Sequence, residues 1–243
     1  YNTAVGEAAG MAVTTGVSNT LVGGLSGDAL TIGQENTAVG RSSLSAAVGD
    51  RYCVAIGNSA LGSQTNATGA DIYNTAVGYA AGAAVTSGIQ NTIIGGQAGD
   101  SLTDADYNQA LGAYALSADT KGNRSVAIGG SSLYTQNFTT STNTFNTAVG
   151  HGTGYAITTG IYNTLIGGNA GAALIDADNN VALGVSALVL DTYGSSSVAI
   201  GTSALATQNF TTATDSYNTA VGHNSGTAVT TGTVNTLIGG LAG

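Results

Sequence analysis

The sequence predicts an all-β fold, a parallel β-solenoid or β-roll of about 14 coils, and three observations lead to it. A glycine recurs at Gly6, Gly23, Gly40, Gly57, Gly78, Gly95, Gly112, Gly129, Gly150, Gly167, Gly184, Gly201, Gly222 and Gly239, in steps of 17, 17, 17 and 21 residues that repeat without a slip. The residues ahead of that glycine keep their character in every copy. The 38 glycines and the short period leave no amphipathic stretch of useful helical length. Stacked coils demand such column identity, because each residue lies on its counterpart one rung below.

The strand comes first. Four or five residues ending at an unvarying glycine suit a short strand that runs into a turn, since glycine takes positive φ without a Cβ penalty. One place before the glycine stands Val, Ile or Leu in all 14 copies, from Val5 through Ile128 to Ile238, and this column is expected in the core. Two before it stands Ala in 10 copies, with Leu21, Ile93, Leu165 and Leu237 in the second copy of each quartet. Three before it is mostly Thr or Val, which favour extended backbone. Both faces of the strand are thus largely apolar, as in a strand covered on both sides. Only one face of a thin coil can lie inside. The other, assigned to Ala4, Leu21, Ala38 and their equivalents, is expected to meet another chain or a second wall of the same coil.

Four before the glycine stands asparagine in 11 copies: Asn2, Asn19, Asn36, Asn74, Asn91, Asn108, Asn146, Asn163, Asn180, Asn218 and Asn235. Cys53, Ser125 and Ser197 fill the fourth place of each quartet. A side-chain amide can donate to one rung and accept from the other, so the column reads as a hydrogen-bonded ladder along the axis. The alternative is a simple preference of Asn for the turn before the strand.

Four coils make a super-repeat of 72 residues, opened by Tyr1, Tyr73, Phe145 and Tyr217. We assign one elongated domain over 1–243, with super-repeats 1–72, 73–144 and 145–216 and a partial one at 217–243. Fourteen rungs at the ~4.8 Å strand spacing make a rod of roughly 65 Å. The chain starts in phase within a repeat, without a signal peptide, and stops early in a unit, as a segment of a longer fibre would.

Composition narrows the function. Only 7% of residues are charged against 42% apolar, and no apolar run approaches a membrane span. A net charge of −9 with four basic residues, Arg41, Arg51, Lys121 and Arg124, argues against binding a nucleic-acid backbone.

Motifs with chemistry are few. The lone Cys53 reads as a small buried residue rather than a reactive thiol. His151 and His223 follow the column glycine four rungs apart, roughly 19 Å, too far to share a metal. Gly57-Asn58-Ser59 and Gly201-Thr202-Ser203 resemble the start of a nucleophile elbow but lack its closing glycine. Asp104-Ala105-Asp106 and Asp176-Ala177-Asp178 read as solvated turns, with a hard cation as the lesser reading. A glycan-cleaving enzyme would need paired carboxylates across a cleft, and nothing in the sequence builds one. No enzyme activity, cofactor or metal is expected. Four N-x-[ST] sequons, at Asn66, Asn123, Asn137 and Asn209, are candidate glycosylation sites, and none coincides with the ladder.

Residues 74–99 (NTAVGYAAGAAVTSGIQNTIIGGQAG) and 125–133 (SVAIGGSSL) resemble the head repeats of trimeric autotransporter adhesins, and the related N-T-x-x-G repeats of phage tail-fibre and bacterial surface-fibre proteins. The likeness runs over essentially the whole chain. It implies a left-handed parallel β-roll, three chains packed side by side, and copies of the chain as partners, with assembly into a filament and a cell-surface or glycan receptor as further candidates. The coils of 17 and 21 residues are longer than in the usual adhesin head, and no stalk or anchor is visible. The function expected is a non-enzymatic structural or adhesive extracellular fibre or filament shaft, at the cell surface. A phage tail-fibre shaft on a virion is the alternative. A carbohydrate- or ice-binding solenoid is a second, with the Thr column as its array.

Overall fold

A computed structural model describes residues 1–66 and 68–243. The chain is an all-β parallel solenoid of 14 coils, and among the described residues no segment is helical. Each coil contributes a three-residue strand, beginning with Thr3–Val5, Thr20–Val22, Thr37–Val39 and Val54–Ile56 and ending with Thr236–Ile238. The 14 strands form one parallel sheet in sequence order. Its register is that of the repeat: Thr3 pairs with Thr20, Ala4 with Leu21, and Val5 with Val22.

The turn after each strand is as regular as the strand. The column glycines lie at φ between +124° and +141°, where a side chain would collide with the next rung; a Cβ on Gly95 would lie 2.5 Å from the Gly112 carbonyl oxygen. Three further corners take left-handed φ, at five before, two after and four after the glycine; in one coil these are Gln90 (+56°), Gln97 (+54°) and Gly99 (+49°). The corners are bonded across rungs, as when the Gln97 amide donates to the Tyr79 carbonyl at 2.8 Å. That pairing sustains left-handed backbone at residues other than glycine.

The interior is filled by a different column from the one expected. The residue two before the glycine points inward, and Leu21, Ala38, Ala76, Ile93, Ala148 and Leu165 have no solvent exposure. The Val/Ile/Leu column points outward, with Val5 58%, Ile94 39% and Leu183 42% exposed. Steric room decides the parity. The opposite wall, seven after the glycine, also points inward with Leu30, Val85, Leu102, Ile157 and Leu174. Inward leucines at the corner four after the glycine, Leu44, Leu61, Leu116 and Leu133, take up further room, so alanine takes most inner strand places.

The 72-residue super-period is a packing code. Each large inner strand residue is flanked by two glycines, four after the column glycines on either side of it. A Cβ on Gly82 would stand 2.9 Å from Ile93 Cδ1, and one on Gly99 3.5 Å from the same atom. Gly10 and Gly27 flank Leu21, and Gly154 and Gly171 flank Leu165, in the same way. In the third and fourth coils that corner is leucine, as at Leu44, Leu61, Leu116 and Leu133, and the inner strand residue is alanine. Volume is thus conserved from rung to rung. In each of the two later 21-residue steps a short strand pairs in parallel with one in the preceding 17-residue step, Thr142–Asn143 with Gly122–Asn123 and Thr214–Asp215 with Gly194–Ser195.

Candidate functional site

With the Ala/Leu column inside, the outer face of the 14-stranded sheet presents two columns to solvent, Thr or Val and then Val, Ile or Leu. This corrects the placement of the second apolar face at Ala4, Leu21 and Ala38; apart from the terminal rungs, with Ala4 exposed and Leu237 half-buried, that column is interior. Along one edge of the sheet runs the left-handed corner column, rich in exposed aromatics: Tyr73, Tyr107, Phe145, Tyr162 and Tyr217. Tyr52 and Tyr73 stack at 5.0 Å between centroids, and Phe145 and Tyr162 at 5.9 Å. The Arg124 guanidinium lies 4.8 Å from the Tyr107 ring and 5.9 Å from Phe145. Stacked rings and the guanidinium cover one face of most of these aromatics, and their edges and hydroxyls point along the rod surface. The described residues enclose no pocket.

The Asn column forms a buried line of hydrogen bonds. The Asn19 amide nitrogen donates to Asn2 Oδ1 at 2.9 Å, and that of Asn36 to Asn19 Oδ1 at 3.0 Å. Asn74, Asn91 and Asn108 continue in the same way, as do Asn146, Asn163 and Asn180, and Asn218 with Asn235. Each Nδ2 except that of Asn235 in the last coil donates to a carbonyl of the next coil, that of Asn91 to Ala105 at 2.8 Å. Direct amide-to-amide contacts are secondary, at 3.0 to 3.3 Å in four pairs. The bonds therefore join side chain to backbone more than side chain to side chain.

At every fourth rung the line stops, because Cys53, Ser125 and Ser197 offer no amide oxygen. A buried glutamine bridges the gap, with Asn146 Nδ2 donating to Gln136 Oε1 at 2.9 Å and Gln136 Nε2 donating to Asp119 Oδ2 at 2.6 Å. Asp119 also accepts from the Gly122 and Phe138 amides, both at 3.0 Å. Asn218, Gln208 and Asp191 repeat the arrangement, and Asn74, Gln64 and Asp50 approximate it. Nothing in the sequence reading marked these Asp–Gln pairs. The signal lay in the inward column seven after the glycine, where Asp and Gln replace Val and Leu.

The remaining candidates are scattered. Asp106 and Asp178 each accept a backbone amide at 2.8 Å, from Ile89 and Ile161, and Asp104 lies 3.5 Å from Lys121. Burial pushes Asp178 above the usual carboxylate range, and Asp176 and Asp215 add repulsion. Among the described residues no group of three or more His, Cys, Asp or Glu side chains is placed to hold a metal ion. His151 and His223 are exposed. Cys53 is buried, and burial, with Asp50 nearby, pushes its thiol far above the ordinary range. Of the sequons, Asn137 and Asn209 are exposed, Asn123 is buried in a short strand, and Asn66 is tied to Asp50. Both ends of the Asn123 side-chain amide are hydrogen-bonded, to the Asp106 amide and to Ser141 Oγ. The sequon of Asn66 includes Ala67, which lies outside the described residues.

No family model, curated protein or solved structure matches the chain.

Proposed function

We propose that the chain is a non-enzymatic shaft of an extracellular fibre, whose copies associate side by side through the outer sheet face. One observation carries this reading: an apolar column, one residue per rung over 14 rungs, stands outside a coil that already has a filled interior. The strip measures roughly 65 Å by 10 Å, about 650 Å² per copy. With the aromatic edge added it approaches the ~800 Å² per partner of a stable interface. Burial at ~25 cal/mol per Å² would reward such contact along the whole rod. The likeness to trimeric adhesin and tail-fibre repeats supports three left-handed copies around one axis, at a cell surface or on a virion.

Sedimentation equilibrium tests the proposal. The chain is expected at about three times its 23.5 kDa. Ile94→Asp with Ile166→Asp places two carboxylates in the contact without touching the interior, since these residues are 39% and 37% exposed. The expected result is a folded monomer with an unchanged circular dichroism spectrum. A wild-type monomer would overturn the proposal and leave the Thr-Val face free for a ligand, the reading of a carbohydrate- or ice-binding solenoid.

A further inference from the structure

We infer that Asn137 and Asn209 are sites of N-linked glycosylation, and that the structure selects these two from the four sequons in the chain. Both are exposed, in the protruding fourth turn of consecutive super-repeats, with the same local sequence, TQNFTT. Each occupies the place eight after the column glycine, a column that is threonine in most other coils and lies on the wall opposite the sheet.

The hydrogen bonds set the orientation. The Thr120 hydroxyl shares its one proton between the Phe138 carbonyl at 2.7 Å and Asn137 Oδ1 at 3.0 Å, and the Thr192 hydroxyl does the same between the Phe210 carbonyl at 2.7 Å and Asn209 Oδ1 at 3.0 Å. The carbonyl end of each amide is therefore held toward the preceding rung. Among the described residues nothing accepts from either Nδ2, which is the atom a glycosyl group would take. The sequon hydroxyls, Thr139 and Thr211, are exposed two residues on, while Phe138 and Phe210 between them are only 7% and 6% exposed and anchor the turn. An accessible amide on an anchored turn is a fixed acceptor.

The other two sequons lack that freedom. Asn123 is 7% exposed, its Oδ1 accepts from the Asp106 amide at 2.8 Å, and its Nδ2 donates to Ser141 Oγ at 3.0 Å. Asn66 donates to the buried Asp50 carboxylate through both its side chain, at 3.1 Å, and its backbone amide, at 3.1 Å. A glycan on either would compete with bonds that close the coil.

The reaction balances with one co-reactant, a glycosyl donor activated as a diphosphate ester. Nδ2 attacks the anomeric carbon and a C–N bond forms. The C–O bond to the diphosphate breaks and its electron pair leaves with the phosphate, while the proton lost from nitrogen passes to the transferase base. No oxidation state changes. Four rungs separate the two acceptors, roughly 19 Å along the same wall. The sugars would stand away from the outer sheet face, so this inference does not depend on side-by-side association.

Peptide mapping of the chain from the cells that make it, before and after amidase treatment in heavy-oxygen water, tests the inference. Conversion of Asn to heavy-labelled Asp is expected at positions 137 and 209, with none at 123 or 66. Thr139→Ala and Thr211→Ala should each remove one glycan mass while keeping the acceptor Asn, and Thr139→Ser should retain it. A second measurement incubates the purified folded chain with a soluble sequon-reading transferase and its nucleotide sugar, where the same two sites should be filled. A bare polypeptide mass from the native cells, or labelling at Asn123 in the folded chain, would overturn it.

Discussion

Asn91 connects three rungs through three hydrogen bonds, and its removal cannot be repaired by water. Its Oδ1 accepts from the Asn108 amide at 2.9 Å, its Nδ2 donates to the Ala105 carbonyl at 2.8 Å, and its own amide donates to Asn74 Oδ1 at 2.8 Å. Asn91→Ala would leave a buried donor and a buried acceptor unpaired, a cost of about 2–4 kcal/mol. Gln97→Ala, at a corner whose bond to Tyr79 is made by the backbone, should stay within about 0.5 kcal/mol. Equal melting temperatures for the two variants would reduce the column to a turn preference. The asparagines were visible in the sequence because a polar residue held in one column is conspicuous; the direction of their bonds was not, since an amide serves side chain or backbone equally well. The aspartates make a second statement at this scale. Burial raises Asp50, Asp100 and Asp178 above their ordinary value of 3.8. The folded chain then binds protons at a pH where the unfolded chain does not, so their contribution to stability grows as pH falls through the folded values. It is complete below the unfolded value and lost as pH rises. Melting temperature at about pH 4 is expected to equal or exceed that at pH 7; a fall on acidification would contradict this sign.

A coil is a volume shared between neighbouring rungs, and Ile93 with Gly99 shows how the share is divided. Ile93→Ala alone should cost about 2–5 kcal/mol, because the flanking glycines provide nothing to fill the cavity. Gly99→Leu alone would bring a Cβ to 2.8 Å from Leu102 Cδ1 and 3.5 Å from Ile93, an overpacking cost of about 1–3 kcal/mol. Together they give the strand and corner pair of the later coils, where Leu116 and Leu133 hold the same corner at φ +55° and +49° beside alanine, with Asp119 and Gln136 in the place that Leu102 keeps here. Gly99 already lies at φ +49°, so the backbone accepts the change. The double variant should be more stable than the sum of the singles by at least about 1 kcal/mol, measured by urea denaturation. Additive costs would mean that the two sites do not share space. The same coil explains why the sequence misplaced the core by one residue. The commonest strand, Thr-Ala-Val, gives no alternation to read, and apolar identity favours the larger Val column; only the buried corner leucines beside alanine, Leu116 and Leu133, show how little room the interior leaves on the strand. The strands themselves and their register were legible, because the glycine spacing fixes both. The left-handed corners at Leu, Ser and Tyr were not, since those side chains carry no local preference for that backbone.

Over the whole rod two periods are superposed, a backbone period of one coil and a core period of four, and deletions separate them. In a solenoid each unit contacts only its neighbours, so stability is close to a sum of units and interfaces. Deleting residues 73–144 joins Ile72 to Phe145, which occupies the place of Tyr73; strand register, Asn column and core code all remain in phase. Deleting residues 79–95 removes one 17-residue step and joins Gly78 to Gly96. The sheet can still pair there, and Asn74 can meet Asn108 as it met Asn91. The core cannot match, because Ile93 has gone and Gly99 now stands between two strands whose inner residues are alanine, Ala76 and Ala110. The shorter deletion should therefore lower the melting temperature more than the longer one, by the equivalent of a cavity of one isoleucine, about 2–5 kcal/mol. Differential scanning calorimetry of the two variants beside the full chain decides it. If the 17-residue deletion melts with the full chain, backbone pairing alone sets the stability and the 72-residue period has another cause. If the 72-residue deletion is the less stable of the two, stability depends on rod length, and the nearest-neighbour account of the rod fails.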